Sequence, residues 1–423
     1  MGYRWRGMLA ATALWAVAAC AWAGQVEVLH WWTSGGESKS VEELKRLLAS
    51  QGHTWRDFAV VGGGGDSAMS VLRARVLAGN PPAAAQIKGP AIQEWGRLNV
   101  LADLEEVATL QKWDAQLPRV VADVMKVNGR YVAVPVNVHR VNWLWINRDA
   151  LLKTGLRVPN TWDEFFAVAE KMRQIGIVPV AHGGQSWQEF TTFESVVLGV
   201  GGAEFYRRAF VDLEPGALRS DTMSRSLQTF RRIKDYTDAR APGRDWNVAT
   251  AMVIRGEAGM QFMGDWAKGE FLAAGKQPAK DFVCVSAPGT SRAYSFNVDS
   301  FAMFRLKDPA AIQAQKALAA TIMRPEFQES FNLNKGSIPV GAGVRMDRFD
   351  LCAQESSAYF AATAMINTLV PSIAHLMAQP AGIEGAMREA VAAYWNNERM
   401  TTDETMTRLV AAAKPRLAKG IKP

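Results

Sequence analysis

Cysteine and histidine are both scarce, three and five residues in a chain of 423. Two of the cysteines, Cys284 and Cys352, fall in the body of the chain, too few for a fold stapled by several disulfides. With the scattered histidines they form no zinc-ligand spacing, so no metal site is expected. An oxidising compartment permits one bridge between them, but their separation in space is not written in the sequence. After residue 23 no uninterrupted apolar run is long enough to cross a bilayer. The net charge of +7 is spread along the chain rather than gathered in a basic stripe, which argues against nucleic acid as a partner. Repeats of solenoid period are missing too. The run Gly62 to Gly65 lacks the lysine and hydroxyl ending of a phosphate loop, and neither a serine-hydrolase elbow nor a zinc-protease helix motif is present. A pair of glycosidase carboxylates needs no local motif, so a secreted glycosidase stays open as a competing class.

What is present begins with an export pattern. Arg4 and Arg6 precede the apolar run Leu9 to Ala19, and Ala21-Trp22-Ala23 supplies small residues for cleavage. The expectation is a secretory signal over residues 1–23 and an exported mature chain. Val17-Ala18-Ala19-Cys20 also reads as a lipoprotein box, with Cys20 as the acylated anchor in that alternative. Cleavage after Ala23 removes two of the 48 basic residues and none of the 41 acidic ones, so +7 becomes +5.

The body alternates strand and helix. Val26 to His30 is a strand, Ser38 to Ser50 an amphipathic helix, Phe58 to Val61 a strand, and Asp66 to Ala78 a helix capped by Asp66. Ala83 to Ile87 reads as a short buried strand after the helix-stopping Pro81-Pro82. The pattern resumes through Tyr131 to Val136 and Val141 to Ile146. Thr161 with Glu164 forms a capping box at the head of a helix over Trp162 to Ile175. Strands follow at Ile177 to Ala181, Gly259 to Met263, Phe282 to Ser286 and Ser300 to Arg305, and then a long helical part. This alternation predicts an α/β fold of two lobes, with the chain crossing between them more than once and leaving a hinge and a cleft. The expected first lobe comprises residues 24–137 with about 300–345, and the second about 138–299 with 346–423.

The polar and aromatic residues at strand ends are the candidates for function, because ligands of open α/β sheets sit there. His30-Trp31-Trp32-Thr33-Ser34-Gly35-Gly36-Glu37 follows the first strand. Indole planes suit the C–H face of a sugar ring, and carboxylates, amides and cations suit its hydroxyl rim. If Trp31 and Trp32 continue the strand they point to opposite sides and one is core; if the strand has ended, both reach the cleft. Glu37 reads either as a hydroxyl acceptor or as a carboxylate on a helix dipole. Lys88, in Gln86-Ile87-Lys88-Gly89-Pro90, also ends a strand. Trp266, in Gly264-Asp265-Trp266, offers a second aromatic wall, with Asp265 read as a helix cap. Asn297 and Asp299, two apart in extended chain, face one side and suit vicinal hydroxyls. Lys335, before Gly336, and His375, among apolar neighbours on a presumed helix face, are each accounted for as well by a helix dipole and a core imidazole.

Taken together, the motifs around Trp31, Lys88 and Trp266 resemble those of family 1 extracellular solute-binding proteins. Within that family the chain is similar over nearly its whole mature length to periplasmic glucose-binding proteins of bacterial ABC importers. The resemblance implies a type II periplasmic-binding-protein fold, no catalysis and no cofactor. It also implies a monomeric receptor that delivers glucose or a related aldohexose to inner-membrane permease subunits, an oligosaccharide receptor of the same fold being the alternative. It assigns Trp31, Trp32, Glu37, Lys88, Asn297, Asp299, Lys335 and His375 to the ligand, with Trp266 as a further wall.

Overall fold

The computed structural model describes residues 23–62, 65–341 and 343–414. The expected signal segment up to residue 22, with Cys20, lies outside the described residues. Among the described residues twelve strands run in order: β1 Gln25–His30, β2 Thr54–Ala59, β3 Ala84–Gln86, β4 Lys126–Val127, β5 Arg130–Tyr131, β6 Ala133–Arg140, β7 Trp143–Asn147, β8 Val178–Val180, β9 Ala258–Phe262, β10 Phe282–Ser286, β11 Tyr294–Met303 and β12 Leu369–Pro371. They form a six-stranded sheet ordered β12-β11-β3-β1-β2 with β6 on the other edge of β11, a four-stranded sheet ordered β10-β7-β9-β8, and the small β4-β5 hairpin.

Each large sheet organises its own core. Val26, Val28 and Leu29 of β1 and Ala84 and Ala85 of β3 are fully buried beneath Val41, Leu44 and Leu48 of the first helix, Gly35–Ala49. Around the second sheet, Leu144, Ile146 and Met260 pack with Phe165, Phe190 and Phe193 from the covering helices. Parallel β1, β2 and β3 with helical crossovers give the first lobe its doubly covered sheet. The chain is an α/β protein of two lobes.

Two long strands hold the lobes together. β6 and β11 pair antiparallel from Phe296 opposite Arg140 to Ala302 opposite Ala133. One end of β11 joins β3 of the first lobe, and the other joins β12. β6 leads within three residues into β7 of the second sheet. The register slips by one residue between Asp299 and Ser300, leaving an extra residue on β6, the usual device for re-aiming side chains.

Several local expectations need correcting. β11 begins at Tyr294, not Ser300, because its first half is buried on both faces and shows no alternation of polarity. β2 spans Thr54–Ala59 and ends before Val60, an exposed edge strand whose apolar content is low. Asp66 does not cap its helix: Gly65 is the N-cap, in the left-handed region at φ 83°, and a Cβ there would sit 2.9 Å from the Trp31 ring. The Thr161–Glu164 capping box forms as read, with Glu164 N donating to Thr161 Oγ1 at 3.2 Å.

Cys284 on β10 and Cys352 in the helix Leu351–Met365 form a disulfide across 68 residues, with the Cα atoms 6.1 Å apart. Closing a loop of this length removes about 4 kcal/mol of unfolded-state entropy. Reduction should therefore lower the urea midpoint clearly, as should a Cys284→Ser/Cys352→Ser variant without reductant; a midpoint insensitive to both contradicts a formed bridge.

Candidate functional site

β6 and β11 build the floor of the site. Alternation puts Asn297 and Asp299 on one face of β11, and Asn137 and His139 on one face of β6. The register sets His139 opposite Asn297 and Asn137 opposite Asp299. Four polar side chains thus share one buried face of a two-stranded ribbon between the lobes.

A chain of charges crosses this floor. His139 Nδ1 bonds to Asp265 Oδ1, and His139 Nε2 lies 3.0 Å from Asp299 Oδ2. Asp265 Oδ2 accepts the Arg140 backbone N–H at 2.9 Å. Asp265 therefore orients His139 and the hinge backbone instead of capping the next helix, which has no side-chain cap. Burial opposes charging His139, but the Asp265 and Asp299 carboxylates outweigh it and hold its pKa above the ordinary value. Burial alone would raise Asp299; Lys88 and His139 overcome it and keep this carboxyl far below the usual range. Lys88 Nζ is 3.1 Å from Asp299 Oδ1. The contact is an ion pair rather than an aligned hydrogen bond, and that oxygen has no hydrogen-bond partner among the described residues.

The first lobe adds a second charged pair. Glu37 closes the capping box of its helix, its Oε2 accepting from the Thr33 and Ser34 N–H groups at 3.1 and 3.2 Å. Its Oε1 accepts from Lys335 Nζ at 2.8 Å. Lys335 is the last residue of the helix Pro325–Lys335, ended by Gly336 in the left-handed region. Both residues combine the helix-end role read from the sequence with a place at the cleft.

Aromatic rings form the walls. β1 stops at His30, so Trp31 and Trp32 are both free of strand alternation and both line the cavity. Trp31 N donates to Gln86 Oε1 at 3.3 Å, and its ring lies 5.3 Å from Lys88 Nζ. Trp32 packs on Phe301 and Phe331, while its Nε1 has no partner among the described residues. Trp266 faces them from the second lobe, its ring edge-on to His375 at 4.9 Å and to His139 at 5.2 Å.

His375 sits on a loop after β12, not on the presumed helix face. Glu194 anchors that loop, accepting from Ser372 Oγ at 2.8 Å and from the Ala374 N–H at 3.1 Å. Thr191 Oγ1 donates to the Trp187 carbonyl, so His375 Nε2 donates to Thr191 Oγ1 at 3.1 Å and Nδ1 is the acceptor. Burial, with help from Lys88 and His139, holds the His375 pKa far below its ordinary value, so the ring is neutral.

All nine residues singled out from the sequence line this one cavity, and His139, Trp187 and Trp246 line it as well. These three escaped the sequence reading, although each carried a signal. His139 and Asn137 are two apart in a valine-alternating strand, the same spacing as Asn297 and Asp299. Trp187 and Trp246 each stand at a helix start, as Trp266 does. Free space among these side chains is about 20 Å³, so the cleft is shut around them. Asn297 Oδ1 is buried there without a hydrogen-bond partner among the described residues. Such a site offers stacking faces, fixed acceptors and two lysines, groups that suit the ring face and the hydroxyl rim of a sugar.

Comparisons with known proteins agree with this architecture. Residues 52–305 match the family model described as bacterial extracellular solute-binding protein. A relative from Rhizobium meliloti (strain 1021), named a probable sugar-binding periplasmic protein, is 46% identical over 407 residues, covering 96% of each chain. An uncharacterised ABC transporter extracellular-binding protein of Pyrococcus horikoshii is 32% identical, covering 84% of this chain and 80% of that one. Among solved structures, a chitin oligosaccharide binding protein superposes with a TM-score of 0.78 at 18% identity, over 92% of this chain and 98% of that one, a likeness of fold. The chain belongs to the bacterial extracellular solute-binding protein family.

Proposed function

We propose that this chain is a periplasmic sugar receptor of an ABC importer, and that its ligand is a single hexopyranose, glucose or a close aldohexose. The observation that carries this reading is the convergence in one interlobe cavity of Trp31, Trp32 and Trp266 with the Asp299 carboxylate and with Asn297, whose Oδ1 has no hydrogen-bond partner among the described residues. The name of the Rhizobium relative supports the sugar, and that of the Pyrococcus relative supports the importer.

On this reading binding works without bond-making. With so little free volume, a hexose enters only when the lobes part about β6 and β11. It then contributes contacts to Trp31, Glu37 and Lys88 from one lobe and to Trp266 and His375 from the other. Contacts made only when the lobes meet shift the population toward the closed form. Closure presents both lobes at once to the permease, the partner this reading implies.

Three outcomes follow. Calorimetry across glucose, galactose, mannose and xylose should find at least one ligand at roughly micromolar Kd or tighter, about −8 kcal/mol; silence across the panel contradicts the monosaccharide reading. Asn297→Ala deletes an oxygen that has no hydrogen-bond partner among the described residues. It should weaken glucose roughly tenfold, the worth of one neutral hydrogen bond, and leave the sugar-free melting temperature nearly unchanged. An unchanged Kd would remove Asn297 from the site.

The third outcome concerns pH. Because the pKa of His139 is raised in the fold, the stability from its charge is fully present below about pH 6.5 and lost as pH rises through the folded value. The depressed Asp299 contributes above about pH 4 and loses its contribution as pH falls through its own folded value. The melting-temperature gap between wild type and His139→Gln should be widest near pH 5 to 6 and narrow as the medium becomes alkaline. A gap that widens with rising pH contradicts a cationic His139.

A further inference from the structure

The cavity shares lining residues with two neighbouring spaces, and what separates them bears on ligand size. Lys88, Trp187 and His375 line the cavity on one side and a narrow throat on the other, which Asp66, Leu376 and Arg388 complete. Asp66, Lys88 and Leu376 in turn border an apolar groove running between the helices Asp66–Leu77 and Pro90–Arg97, with Met69, Ala91 and Trp95 in its walls. Free space is about 10 Å³ in the throat and about 780 Å³ in the groove. The throat is therefore barely wide enough for one water molecule, while the groove has room for a second ring.

Part of the throat is fixed by backbone. Gly89, at φ 46°, lies so near the loop carrying His375 that a Cβ would sit 2.1 Å from the Leu376 carbonyl oxygen. What remains is a side-chain plug. Arg388 Nη1 donates to Asp66 Oδ2 at 2.8 Å, joining a helix of the second lobe, Ala381–Asn396, to one of the first. Behind the guanidinium, Glu384 is buried with Oε1 3.5 Å from Arg388 Nε and no aligned partner among the described residues. Burial pushes the Glu384 carboxyl up to about 8, so it backs the plug as a neutral acid. Asp66 is two-thirds exposed, so the pair acts by occupying space and closing the seam rather than by strong attraction.

We infer that the Asp66–Arg388 pair is the size filter of this receptor: it stops the passage from the hexose cavity into the apolar groove and so excludes glucosides that carry a second ring. The inference rests on the sugar reading above and names the residues that limit it to one ring. Neither residue is needed to hold the hexose itself.

The test is calorimetry of glucose, maltose, cellobiose, isomaltose and phenyl β-glucoside against wild type, Arg388→Ala and Arg388→Lys. Wild type should bind glucose at least about 100-fold tighter than any of the two-ring ligands. Arg388→Ala should narrow that gap at least about tenfold for one or more of them, with glucose affinity held within about threefold. Arg388→Lys, which still fills the throat, should keep the gap. If Arg388→Ala shows no cooperative melt, Glu384→Ala/Arg388→Ala, which leaves no buried carboxyl behind, is measured in its place. A folded, glucose-binding variant whose gap is unchanged overturns the filter, as does a wild type that binds two-ring glucosides as well as glucose. A wild type that binds no hexose overturns the sugar reading itself, and the filter with it.

Discussion

A buried imidazole ring held between two carboxylates is the interaction on which the cleft depends. His139 bonds to Asp265 on one side and Asp299 on the other, and Lys88 closes the chain from the first lobe. Charges this deep are tolerable only when paired, and removing one partner leaves the others uncompensated at a cost of several kcal/mol. The network therefore fixes where its members stand. It also ties the hinge to the second lobe, because Asp265 holds both His139 and the backbone of Arg140. The separate pair of Glu37 and Lys335 performs the same service within the first lobe. Asp299 thus faces the cavity as an ionised acceptor held between Lys88 and His139.

Geometry does the rest through two strands. Only a long antiparallel ribbon common to both lobes places Asn137, His139, Asn297 and Asp299 on one surface between the lobes. Helix starts and strand ends then bring rings from both sides. Close approach across the seam is allowed by glycines: Gly36 lies against Gly269, and Gly89 against Leu376. A side chain at either position would hold the lobes apart, so the shut cleft and these residues are one feature.

Much of the site was legible because its residues sit at junctions. An aromatic or polar residue just past a strand has left the alternation that would bury it, and Trp31, Trp32, Lys88 and Trp266 all stand there. Glu37 and Lys335 were legible as helix ends, and at those ends they do both jobs. His375 was harder: its apolar neighbours mimic a helix face, and only the distant Glu194 shows that it rides on a loop. Asp265 was misread because capping is a local rule, and here a tertiary partner, His139, outbid it. His139 itself was passed over inside a run of valines, although its spacing from Asn137 repeats that of Asn297 and Asp299. The start of β11 was misplaced for a related reason, since a strand buried on both faces loses its period-two signature. The joined motifs carry a family resemblance that gathers these residues into one expected site, which no single motif does.

The most direct measurement is a crystal structure of the protein grown with glucose. A pyranose is expected between Trp31 and Trp32 on one side and Trp266 on the other. Its hydroxyls should lie within hydrogen-bond reach of Asn297, Asp299, Lys88 and His375, at about 2.7–3.2 Å. A hexose seated elsewhere, or a cleft whose tryptophans and Asp299 make no contact with the bound sugar, would contradict it.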